Sequence, residues 1–188
     1  MGVAFIVDGQ LEKRVVQRLC NSAPVRVTNM NGRNVEISAI AKLICSFLDL
    51  FRGRYFPVVI VIDREARDQS SEQIEAEIKV RVSEYGHDVQ GIIVSCADRM
   101  IENWIISGTS SYRGHDISCE LMDHGDGCNG KSIVRQILGG CNVTYSETTV
   151  GVDLFCSMDF EKAAGRSESF NRFRSQMSDY CLHLRQIR

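Results

Sequence analysis

The sequence predicts an α/β fold: a mostly parallel sheet of about four strands flanked by helices, with a helical C-terminal extension. Two apolar runs and one alternation carry that expectation. Residues 58–62 read Val-Val-Ile-Val-Ile, five β-branched side chains with no polar alternation. That is the pattern of a strand buried on both faces, as in the middle of a parallel sheet. Residues 3–7 form a second short apolar run, ending at Asp8-Gly9. Around these runs, helical stripes alternate with further short strands in the order β-α-(β)-α-β-α-β.

Taken in order, residues 3–7 are the first strand, and Gly9 supplies a tight strand-to-helix turn. Leu11, Val15, Val16 and Leu19 recur at helical spacing up to Cys20. Residues 25–28, after Pro24, suggest a short strand, and residues 29–34 a polar loop. Ile37, Ile40, Ala41, Ile44, Phe47, Leu48 and Phe51 make an apolar stripe on a helix that stops near Gly53. The strand at 58–62 follows. Residues 68–71 cap the next helix, with Ile74, Ile78 and Val82 underneath. Its Glu72, Glu75 and Glu77 face Lys79 and Arg81 as a solvated surface.

Residues 89–94 are expected as another strand and residues 97–107 as a helix. Met100, Ile101, Trp104 and Ile105 share one side of that helix, and Glu102 lies away from them or at the border. Trp104 reads as a core anchor rather than a base-stacking platform. Residues 108–130 are the least regular part of the chain. Helices are expected over 131–138, 147–156, 159–164 and 167–184. The last packs through Phe170, Phe173, Met177 and Tyr180 or Cys181, with Arg172, Arg174, Arg185 and Arg188 outside. The expected division is residues 1–107 as the α/β core and 108–188 as loop plus helical extension.

A chain of 188 residues can bury a sizeable core without disulfides or metal. The net charge of −2 gives no basic signature, so nucleic-acid contact would need a local patch or a bridging metal. The eight cysteines fall mostly inside apolar patterns, which reads as reduced thiols in a cytoplasmic protein. No apolar run approaches the ~20 residues that span a bilayer. An oligomer is left open.

In open α/β sheets the ligand crevice lies at the carboxyl ends of the strands. Asp63 and Glu65 stand at one such end, Asp8 at another, and Glu12 one helical turn beyond it.

Three strings resemble one family. Asp8-Gly9-Gln10-Leu11-Glu12 resembles the first motif of TOPRIM domains, and Val61-Ile62-Asp63-Arg64-Glu65 resembles their DxD motif. Met100-Ile101-Glu102-Asn103-Trp104-Ile105-Ile106 resembles the Glu-x-Trp-Leu-Leu helix of a small TOPRIM-like family often encoded beside an ATPase in phage-defence operons. That family is related to RloB-type and OLD-type nucleases. Lys131, Tyr145 and Ser169-Phe170-Asn171-Arg172-Phe173 resemble its C-terminal pattern. The family usually has Glu at the position of Asp8 and Asp at that of Glu65. Charge is kept at both, and reach changes by one methylene.

The resemblance implies a TOPRIM-like fold and metal-dependent cleavage of DNA or RNA, as the effector of an ATPase-coupled defence system. Asp8, Glu12, Asp63, Glu65 and Glu102 are the candidate metal ligands. If they converge, their repulsion needs a cation, and oxygen-only donors suit Mg²⁺ or Mn²⁺. Asp8, Glu12, Asp63 and Lys131 are the candidate catalytic residues, with Lys131 as a point charge toward phosphate. Arg64 and Arg67 read as phosphate contacts or as plain surface charge.

The alternative is a catalytically degenerate TOPRIM-like module that acts as adaptor for a partner ATPase, a reading the Asp8 and Glu65 replacements favour. A phosphoacceptor, receiver-like arrangement of Asp8, Asp63 and Lys131 is a third reading, and Glu12 and the helical tail speak against it. His115, Cys119, His124 and Cys128 have the atoms for a tetrahedral zinc site, though not the spacing of a standard finger.

Overall fold

The structure, a computed structural model, describes residues 2–30, 32, 34–117 and 125–181. The chain divides into two units, Met1–Cys96 and Ala97–Arg188.

The first unit is an α/β layer. Its strands are β1 (Gly2–Val7), β2 (Val25–Val27), β3 (Tyr55–Asp63) and β4 (Ile92–Ala97). They form one all-parallel sheet in the order β2-β1-β3-β4. Helices α1 (Gln10–Leu19), α2 (Ile37–Phe51) and α3 (Ser71–Glu84) make the crossovers. The register pairs Val7 with Val27 on one side and with Val61 on the other.

Alternation along the strands divides the core. Ala4, Ile6, Val58, Ile60 and Ile62 point to the face where α2 and α3 pack, with Ile40, Ile44, Ile74 and Ile78 against them. Phe5, Val7, Val59 and Val61 are buried on the opposite face. Strands buried on both sides leave no room for polar residues until the tip, so the first acidic side chains come at the carboxyl ends.

Three boundaries differ from the sequence expectation. The fourth strand runs over Ile92–Ala97 rather than 89–94, because small, buried Ser95, Cys96 and Ala97 continue its ladder. Cys96 therefore lies inside the strand, and the next helix starts at Ile101 rather than at 97. Nor is the acidic face of α3 wholly solvated. Glu77 pairs with Arg81 at 3.7 Å, but Glu75 Oε1 accepts from the Cys96 amide at 2.9 Å. That bond occupies a backbone donor on the sheet's terminal strand, where an unpaired edge invites association.

The second unit opens on α4 (Ile101–Gly108), followed by a two-stranded antiparallel turn, β5 (Ser111–Tyr112) and β6 (His115–Asp116). Then come α5 (Gly130–Gly140), a π-helical turn (Glu147–Gly151), α6 (Val152–Ser157), α7 (Phe160–Arg166) and α8 (Glu168–Met177). The expected division fell after residue 107, whereas α4 belongs with the C-terminal helices. The reason is Trp104. Fully buried, it stacks on Phe173 at 5.0 Å and meets Phe170 edge-on at 5.5 Å.

Ser167 caps α8 by accepting from the Phe170 amide at 3.1 Å, as expected. The helix packs through Phe170, Phe173 and Met177, and of the two later alternatives Cys181 is buried while Tyr180 is exposed. Arg174, expected outside, is instead buried and forked onto Glu161. The expected helix ran to 184, but it ends at Met177 and residues 178–180 form a turn. Residues 182–184, Arg185 and Arg188 lie outside the described residues. Among the described residues no helix is long and apolar enough to cross a membrane.

Candidate functional site

The strand order makes the carboxyl ends of β1 and β3 the topological switch point of the first unit. From β1 the chain crosses to β2 on one side, and from β3 it crosses to β4 on the other. Such a divergence opens a crevice between the two strand ends, the usual ligand position in open α/β sheets. Asp8 follows β1 directly and Asp63 is the last residue of β3.

The Asp8 side chain is only 2 % exposed. Its Oδ1 accepts from the Thr28 hydroxyl at 2.8 Å, and its Oδ2 lies 3.5 Å from the Asp63 amide nitrogen. Burial pushes its pKa above the ordinary carboxylate value. The Thr28 hydroxyl, the Asp63 amide and the Arg67 charge pull the other way.

Glu12 is buried, so it is not a solvated helix residue. Its Oε2 folds back to accept from the Gly9 amide at 3.0 Å, half of a capping box at the start of α1. Glu65 sits in the loop after β3 with φ of 59°, the left-handed region that costs a non-glycine residue roughly 1–2 kcal/mol. Arg67 is not a free phosphate contact. It is buried, and its guanidinium donates to the carbonyls of Gly32, Val35, Asp63 and Arg64. It thereby ties the loop after β3 to the loop before α2. Arg64 donates to the Arg67 carbonyl at 2.6 Å. Among the described residues no three His, Cys, Asp or Glu side chains form a preassembled ligand group.

Glu102 and Lys131 belong to the second unit. Glu102 was expected away from the apolar stripe of its helix or at the stripe's border, yet all eight residues of α4 are buried, Glu102 included. Its Oε1 accepts from the Tyr145 hydroxyl at 2.9 Å. Lys131 pairs with Glu147. Burial holds the Glu102 carboxyl above its ordinary 4.5, against the pull of Tyr145 and Lys131.

A raised value means that the folded chain binds this proton more tightly than the unfolded chain does. The resulting stability is complete below the unfolded pKa and is lost as pH rises through the folded one. Glu102→Gln, which cannot ionise, should therefore gain on the wild type between about pH 4.5 and about pH 7.5. Thermal melts in EDTA at the two pH values measure this, and a constant difference would show that Glu102 does not carry the effect.

No protein-family model, curated protein or solved structure matches this chain.

One string went unnoticed in the sequence. Gly125-Asp126-Gly127-Cys128-Asn129-Gly130-Lys131-Ser132 fits the phosphate-loop pattern G-x-x-x-x-G-K-S and opens α5. Several of its donors are engaged within the protein. The Lys131 amide lies 3.3 Å from Met100 Sδ, and the Ser132 amide donates to Asn129 Oδ1 at 3.2 Å. The Lys131 ammonium is on Glu147, and the Asp126 carboxylate accepts from Ser167 and Ser169. In this structure the loop caps its helix through Asn129.

Asn103 fixes that loop by donating from Nδ2 to the Gly125 and Cys128 carbonyls. It too was missed as a separate residue, because its function is visible only once α4 and the loop meet. A methyl group on Gly130 would stand 2.7 Å from the Asn103 amide nitrogen and 2.8 Å from the Glu102 carbonyl carbon. Gly130→Ala should therefore destabilise the chain by about 1–3 kcal/mol, as overpacking against backbone does. Urea denaturation measures it, and a neutral result would mean that α4 and α5 can move apart.

Of the proposed zinc set, His115 is an exposed residue of β6 and Cys128 is half-buried. Cys119 and His124 lie outside the described residues.

Proposed function

We propose that this chain is a metal-dependent phosphodiesterase that cleaves DNA or RNA, acting as the effector of an ATPase-coupled antiphage defence system in the cytoplasm. One observation carries the reading: two neighbouring parallel strands deliver Asp8 and Asp63 to the switch point of the sheet. The resemblance of the strings around Asp8, Asp63 and Glu102 to the small TOPRIM-like family supports it.

The donors fit Mg²⁺ or Mn²⁺, because they are carboxylate oxygens without sulfur or imidazole. Asp63 and Asp8 would hold the ion, with Glu65 and Glu12 adding negative charge from the adjoining loop and helix. When bound, such an ion polarises the phosphodiester and activates the attacking water. The protein's own part is to orient the carboxylates. Thr28 and the Asp63 amide turn the Asp8 side chain, and Arg67 holds the loop that begins at Asp63. A polar cleft of about 570 Å³ adjoins this loop, lined by Asn34, Glu36, Arg67 and Asp68 among others; neither Asp8 nor Asp63 is among its lining residues.

A second reading is a metal-free adaptor for a partner ATPase. The engagement of Glu12 by its own helix start favours it, since a capping carboxylate has one oxygen fewer for an ion. One experiment separates the two. The protein is incubated with single- and double-stranded DNA, RNA and tRNA, in Mg²⁺, Mn²⁺ or EDTA, with and without any ATPase from the same operon. Cleavage that requires metal supports the nuclease. Absence of Mn²⁺ binding by the pure protein, with intact ATPase binding, supports the adaptor.

A further inference from the structure

The geometry points to Thr28 as the positioning residue of the candidate metal site: its hydroxyl sets which oxygen of Asp8 faces Asp63. The inference rests on the metal-site reading above and adds a residue to it.

Thr28 is the first residue after β2, and backbone pairing continues past the strand to hold it there. The Thr28 amide donates to the Val7 carbonyl at 2.8 Å, and the Asn29 amide donates to the Asp8 carbonyl at 3.0 Å. Since Val7 pairs with Val27 in parallel register, Thr28 comes level with Asp8. Its side chain is only 6 % exposed, so its position is set by packing as well as by the ladder.

The hydroxyl has a defined direction. Its oxygen accepts from the Met30 amide at 3.4 Å, which leaves the proton to point at Asp8 Oδ1, 2.8 Å away. Asn29 between them has φ of 53°, the turn that brings the Met30 amide back toward Thr28. One Asp8 oxygen is thus anchored on the β2 side. The other is presented on the β3 side, 3.5 Å from the Asp63 amide.

The short reach of aspartate makes this orientation matter. An Asp carboxylate that could rotate freely would offer either oxygen, or neither, toward Asp63. A hydrogen bond from outside the ligand set removes that freedom, as such supporting contacts do in known metal sites.

The test uses Mn²⁺ as the probe and the full chain as the protein. Mn²⁺ affinity is measured by electron paramagnetic resonance for the wild type, Thr28→Val, Thr28→Ser and Asp63→Ala, with thermal melts in EDTA alongside. Thr28→Val keeps the shape and loses the hydroxyl, so its affinity should fall by about 10- to 100-fold. Thr28→Ser keeps the hydroxyl and should recover most of that loss. If Thr28→Val binds Mn²⁺ like the wild type while Asp63→Ala does not bind, the positioning role is overturned and the metal site stands. If Asp63→Ala also binds unchanged, the metal-site reading fails, and this inference with it. Should Thr28→Val not fold, Thr28→Ala takes its place. Thr28→Ser binding as weakly as either apolar variant would likewise overturn the role.

Discussion

On the proposed nuclease reading, Asp63→Ala should remove metal-dependent cleavage, with an expected loss of at least about 100-fold, the scale seen when one charge-stabilising group is taken from an active site. The effect should be specific to function. Asp63 ends β3, its side chain is half-buried, and its backbone amide, the group near Asp8, survives the substitution. The melting midpoint in EDTA should stay within about 3 °C of the wild type, about the shift that ~1 kcal/mol produces in a chain of this length. Asp63→Asn is the sharper control. It keeps the shape but replaces an acceptor-only oxygen with an amide donor, so it should lose activity nearly as fully. Cleavage at wild-type rate by either variant would assign the activity to something other than this site.

Trp104→Ala should be the most destabilising of the core changes, by about 3–5 kcal/mol. The indole is completely buried and packs on Phe155, Phe170 and Phe173. Its Nε1 donates to Ser169 Oγ at 2.7 Å. Ser169 in turn donates to Asp126, which also accepts from Ser167. Truncation would empty the centre of the aromatic cluster and cut one strand of a buried polar network. Because domains are stable by only about 5–15 kcal/mol, the variant would stand near the limit of folding. Trp104→Phe should lose less, since it refills most of the volume and forfeits chiefly the hydrogen bond. Urea denaturation of the two variants gives the comparison. Equal stability for Ala and Phe would mean that the cluster closes over the gap.

Much of the first unit was legible in the sequence. Residues 58–62 read as a strand buried on both sides and are one, and the expected helical stripe from Ile37 to Phe51 spans the same residues as α2, with Phe47 and Leu48 only partly buried. Asp8 and Asp63 stood out for the same reason: a carboxylate directly after an unbroken apolar run lies where the sheet stops. Their neighbours were less legible. Thr28 is one polar residue after a three-residue strand, and nothing local says that it reaches Asp8. Arg67 reads as a phosphate contact or a surface charge; only the loops that close around it show that its donors go to backbone carbonyls.

Glu102 marks the limit of pattern reading in the second unit. Periodicity assigns polar residues to the solvent side of a helix, but α4 is enclosed on every side. A carboxylate can be enclosed only if another group takes its hydrogen bond, here Tyr145, 43 residues later. The string 125–132 is the converse case. Its spacing alone fits phosphate binding, and the contacts of Met100, Asn103, Asn129 and Glu147 direct the same groups to holding a helix in place.

The sequence by itself determined the α/β class, the two central strands and the acidic residues at their ends, because these follow from side-chain polarity at fixed periods along the chain. The tertiary structure decided the strand order that puts Asp8 and Asp63 side by side, the hydroxyl that orients Asp8, and the burial of Glu102. Each of these depends on groups far apart in the chain meeting within a hydrogen-bond length, which no local pattern encodes.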